Sequence, residues 1–124
     1  MWARLAHELG RSFRYVSTEP DEFLIIDVPD PEDGYLQWHY EPGGGFYAEA
    51  ASGFYSDVWR SPAQQECLRA LGWAPPGEGW GAADVQNWSR HWTAPVNPYD
   101  VVLLTVRTLR DVFGADPAQI LEAL

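Results

Sequence analysis

Three histidines, one cysteine and a dense run of carboxylates are the side chains here that could do chemistry, and their spacing gathers none of them into a reactive group. His7, His39 and His91 lie far apart in the chain, and none has a second His or a Cys at metal-ligand spacing. No HExxH or CxxC pair occurs, and no GxSxG turn presents a serine nucleophile. Cys67 falls inside a stretch of helical periodicity, where a small buried hydrophobe is the expected role rather than a reactive thiol. Gly43, Gly44 and Gly45 lack the Lys-Ser/Thr of a phosphate loop and join one strand-like segment to another. The carboxylates Glu19, Asp21, Glu22, Asp27, Asp30, Glu32 and Asp33 miss the ligand pattern of a calcium loop and suit a solvated rim. The residues therefore predict no catalytic group, no metal site and no cofactor.

What the chain does offer is aromatic surface. Four of the seven tryptophans (Trp73, Trp80, Trp88 and Trp92) fall in the stretch LRALGWAPPGEGWGAADVQNWSRHW, interleaved with glycine and proline. Large aromatic area is costly to leave in water, so this stretch must cover the core or present a recognition surface.

Length and charge narrow the classes. A chain of 124 residues fits one domain, 1–124, with one hydrophobic core. The formal net charge is −10, and all eight cations are arginines scattered singly. Phosphate backbones and anionic membranes are bound by clustered cations, so nucleic acid and membrane surfaces are excluded as partners. A basic protein partner is permitted, although solubility alone also accounts for the charge. One cysteine allows no internal disulfide. The start MWARLAHELG has no apolar leader core and no run approaches the ~20 residues of a membrane span, so the expected location is cytoplasmic.

The elements that must position the aromatics follow from periodicity. Trp2, Leu5, Ala6, Leu9 and Phe13 recur at helical spacing over residues 2–16. Three strands follow at Phe23–Val28, Tyr35–Tyr40 and Phe46–Ala51, with a shorter one through Phe54–Val58. Ser61, Pro62 and Gln64 form a capping box, and Gly72 ends that helix with Trp73 folded back on Leu68. Asp84–Trp92 reads as one more short strand with Trp88 facing the core. Asn97-Pro98 opens the most apolar helix, which Gly114 caps, and Asp116-Pro117 opens a last short one. Strands flanked by helices predict an α+β fold: an antiparallel β-meander with helices packed on one face, in the order α-β-β-β-α-β-α-α.

The two-residue period sorts the sheet's faces. Leu24, Ile26, Val28, Leu36, Trp38, Tyr40, Phe46, Ala48 and Ala50 make one apolar face that should meet the helices. The opposite face mixes Phe23, Ile25, Tyr35, His39 and Tyr47 with Asp27, Gln37 and Glu49. Such a mixture suits a homodimer contact, a peptide-binding surface, or a partly covered face of aromatic cross-strand pairs. Trp80, in the turn-rich PPGEGWG, is the tryptophan best placed for exposed recognition.

The pattern LRALGW-PP…NW-R-W followed by VVLLTVRTLRDVFGADPAQI carries a resemblance. Leu68, Leu71, Gly72, Trp73, Asn87, Trp88, Val112, Phe113 and Gly114 match the small actinobacterial TY-Chap domains, which are similar to type III secretion chaperones and YbjN proteins. The resemblance implies a chaperone-like fold, with room for two strands after Trp73 where this sequence shows one. It also implies non-enzymatic binding of a peptide or protein client, commonly as a dimer. Phe23, Ile25, Tyr35, His39, Tyr47 and Trp80 are the candidate contact residues, and the acidic rim favours a basic client. The alternative expectation is an acidic immunity protein that neutralises a basic toxin, which size, charge and aromatic content also fit.

Overall fold

The computed structural model describes residues 1–19, 22–28, 33–78 and 85–124. Helix α1 (Trp2–Val16) buries Leu5, Leu9, Phe13 and Val16 along one stripe and turns Arg4, Glu8 and Arg11 outward. Four antiparallel strands follow in one sheet ordered β1 (Phe23–Val28), β2 (Gly34–Tyr40), β3 (Phe46–Ala50) and β4 (Trp88–Trp92). Helix α2 (Pro62–Leu71) intervenes before β4, and α3 (Pro98–Asp111) and α4 (Pro117–Ala123) close the chain.

Register is set by the buried face. Leu24 pairs with Trp38, Trp38 with Ala48, and Phe46 with Trp92, so the apolar residues share one side. A slip by one residue would turn the whole apolar set to solvent. Trp38 and Phe46 are fully buried there, and Phe13 of α1 meets both, with ring centroids 6.1 and 4.8 Å away. Each such side chain contributes about 1.5–3 kcal/mol on burial. The two indole N–H groups beneath the helices are not stranded: Trp38 donates to Thr105 Oγ1 at 3.1 Å and Trp73 to Thr108 Oγ1 at 2.9 Å, both acceptors on α3.

The helix ends obey their local signals. Ser61 Oγ accepts from the Gln64 N–H and the Gln64 side chain accepts from the Ser61 N–H, so the capping box forms. Gly72 takes the left-handed conformation at φ 102°, and the Trp73 N–H donates to Leu68 O at 3.0 Å. Asn97 and Asp116 cap α3 and α4 through their side chains.

Three expectations are corrected. Phe54–Val58 is a closed loop and not a strand, because Gly53 at φ 110° and Asp57 at φ 65° bend the backbone out of the extended region. The strand expected from Asp84 begins at Trp88; Val85–Asn87 precede it as coil, and Asp84 itself lies outside the described residues. α3 ends at Asp111 with Val112 as its cap residue, before Gly114 is reached. Trp88 does face the core and is buried opposite Ala50. The single strand after Trp73 has a remnant companion: Ala74 exchanges both backbone hydrogen bonds with Ser89, at 2.8 and 3.0 Å, beside the outer edge of β4.

Candidate functional site

The helices lie on one side of the sheet, which leaves the other side as the mixed surface. Its side chains stand in ranks fixed by the pairing. One rank runs Phe23, His39, Tyr47, His91; the next runs Ile25, Gln37, Glu49, Ser89; Asp27 and Tyr35 begin a third. Phe23 is 52% and Ile25 47% exposed, a large apolar exposure for residues inside a strand. His39 is half-buried between the rings of Phe23 and Tyr47, with centroids 5.8 and 6.3 Å away. Its Nε2 lies 2.8 Å from Gln37 Nε2.

Polar groups fix this surface from below. Asn87, itself buried, donates from Nδ2 to Tyr35 Oη at 2.8 Å and to Glu49 Oε1 at 3.3 Å. Its Oδ1 accepts from the Ser52 N–H at 3.1 Å. Burial pushes the Tyr35 phenol above its ordinary value; the Asn87 bond pulls the other way, and Glu49 and Tyr55 add to the rise. Burial does the same to Tyr47, with Glu49 as the next cause. His91 meets Glu41 at 2.6 Å. Charge on the ranks comes from Asp27 and Glu49, with no arginine in any of them.

The loop after β3 extends the surface, and sequence reasoning missed it. Its ends are tied by the Arg60 N–H on Ser52 O at 3.2 Å, and Asp57 N–H closes on Gly53 O at 2.8 Å. The loop holds Phe54, Tyr55, Val58 and Trp59 exposed, with the Phe54 and Tyr55 rings edge-to-face at 4.9 Å. Tyr55 is near enough to add to the rise of the Tyr35 phenol. The spacing of Phe54, Tyr55, Val58 and Trp59 does not distinguish display from a strand, and their exposure follows from the bends at Gly53 and Asp57.

Of the sequence-predicted residues, Phe23, Ile25, Tyr35, His39 and Tyr47 thus share one face. Trp80 lies outside the described residues. Among the described residues no group of three His, Cys, Asp or Glu side chains is placed to hold a metal ion, and no helix is long and apolar enough to cross a membrane. Chemically the surface offers apolar contact, ring stacking and carboxylate acceptors.

Residues 1–123 match the model of a family described as T3SS (YopN, CesT) and YbjN peptide-binding chaperone 3, TY-Chap3. No curated protein and no solved structure matches the chain.

Proposed function

Since the chain belongs to the TY-Chap3 family of peptide-binding chaperones, we propose that it holds an extended client segment against the open face of its sheet, without catalysis. The observation that carries this reading is the exposure of Phe23 and Ile25 on β1. Among the described residues β1 pairs on one side alone, with β2. Edge strands are usually blunted by lysine, proline or a bulge, and β1 reads FLIIDV with neither residue. An extended segment can pair with that edge through its backbone while its side chains on the open side rest beside Phe23 and Ile25. Asp27 and Glu49 favour a client whose apolar residues alternate with arginine or lysine. A second copy of the chain fits the same edge and would compete with the client. No comparison supports an immunity protein.

The test is a fluorescence-anisotropy titration with two labelled nonapeptides, one alternating leucine with arginine and one alternating leucine with glutamate. The arginine peptide binds and the glutamate peptide does not. The double variant Phe23→Ser/Ile25→Ser, altered only at exposed positions, loses most of the binding. Unchanged affinity in that variant would overturn the assignment of the face.

A further inference from the structure

The helix-covered side of the sheet carries a second feature, independent of the open face. A cleft of about 330 Å³ opens between the end of α2, the middle of α3 and the outer strand β4. Leu71, Leu104 and Trp92 give it an apolar lining, and Arg90, Arg107 and Asp100 stand in its wall. In a chain of net charge −10 whose eight cations are otherwise dispersed, two guanidinium groups on one cleft run against the prevailing field.

Arg90 is held in place. Its Nη1 donates to Gly72 O at 3.1 Å, and its guanidinium lies 5.5 Å from the centroid of the Trp92 ring. A guanidinium carries five N–H donors, so this backbone bond leaves others for a ligand. Gly72 adjoins Trp73, whose indole donates to Thr108, the residue after Arg107 on α3. Asp100 is seven residues before Arg107 on α3, about 10 Å along the helix. The cleft is thus lined by two guanidinium groups, an apolar patch and one carboxylate.

We propose that this cleft binds a single carboxylate carried on an aliphatic group. Arg90 and Arg107 hold the carboxylate, a planar acceptor that suits the guanidinium fork. Leu71, Leu104 and Trp92 take up the aliphatic group. Asp100 repels a second negative charge and so selects against dicarboxylates and acidic runs. The carboxylate can come from a peptide's C-terminus after an aliphatic last residue or from a free short-chain acid.

The test is a two-dimensional amide and indole NMR titration of the whole chain. The probes are acetyl-Ala-Ala-Leu as the free acid, the same tripeptide as its carboxamide, isocaproate and succinate. The tripeptide acid or isocaproate shifts the Trp92 indole and the Arg90 side-chain resonances, while the carboxamide and succinate leave them in place. Tighter binding of the tripeptide acid identifies a chain terminus as the source, and equal or tighter binding of isocaproate identifies a free acid. Arg107→Gln, at an exposed position, weakens the binding about tenfold, and Arg107→Lys restores part of it. The proposal falls if neither acid shifts those resonances, if the carboxamide shifts them as strongly as the acid, or if Arg107→Gln binds as the parent does. The Phe23→Ser/Ile25→Ser variant retains this binding, which separates the fate of this site from that of the open face.

Discussion

Replacing Asn87 by alanine should unfasten the open face from the loop that extends it. Asn87 and Ser52 are 3% and 4% exposed, so neither can turn to water. The substitution leaves the Ser52 N–H without its acceptor at 3.1 Å, and a buried donor stranded in this way costs about 1–3 kcal/mol. Ser52 Oγ keeps its bond to Gln86 O at 2.7 Å, which limits the damage on that side. Tyr35 and Glu49 are half-buried and recover partners from solvent, so each lost bond adds only about 0.5–1 kcal/mol. The sum is about 2–5 kcal/mol, a large share of the ~5–15 kcal/mol that stabilises a typical domain. In urea unfolding followed by tryptophan fluorescence, the midpoint should fall with little change in slope. Asn87→Asp separates the two halves of the effect. It keeps an acceptor for the Ser52 N–H but puts a carboxylate where an amide now meets Glu49 Oε1 at 3.3 Å. Like charges at that range raise the pKa of the new carboxyl. Stability relative to Asn87→Ala is then present at acidic pH and lost as pH rises through the raised value. An alanine variant within about 0.5 kcal/mol of the parent would refute the reasoning, since that is the scatter of inconsequential surface changes. So would an aspartate penalty that does not change with pH.

Other outcomes follow from the same structure. Gly53→Ala should destabilise by about 1–3 kcal/mol or more and speed proteolysis after Phe54 and Tyr55, because φ is 110° and the added Cβ would stand 2.5 Å from Trp59 Cα. Thr108→Val should cost about 1–3 kcal/mol by stranding the Trp73 indole N–H, and adding Trp73→Phe should cost less than the two single changes summed, in a double-mutant cycle by chemical denaturation. Tyr35 and Tyr47 are held above the ordinary value of 10.0 chiefly by burial, so the folded chain keeps protons that the unfolded chain releases. Stability should therefore be intact below about pH 10 and fall as pH rises through the raised values, and Tyr35→Phe should flatten that decline in melts across the alkaline range.

The parts of the fold that local physics decides were legible in the residues. Ser61 with Gln64, Gly72, Asn97-Pro98 and Asp116-Pro117 each mark a helix end by a bond made within a few residues. The alternation FLIIDV, YLQWHY, FYAEA sorted the faces because a strand's side chains have no other choice. What escaped depends on pairs distant in the chain. Asn87 reaches Ser52 and Tyr35 across 35 and 52 residues, and no spacing rule announces such a hub. Phe54–Trp59 has the composition of a strand, and only the positive φ at Gly53 and Asp57 turns it into a display loop. Arg90 and Arg107 belong to different elements, β4 and α3, which only the folded chain brings to one cleft.

Amide hydrogen exchange with the leucine–arginine nonapeptide present and absent tests directly whether a client seats along β1. New protection is expected in the backbone of Phe23–Val28, with shifted resonances at Tyr35, His39 and Tyr47 and none in α3. Protection confined to the helices, or none along β1 at saturating peptide, would contradict it.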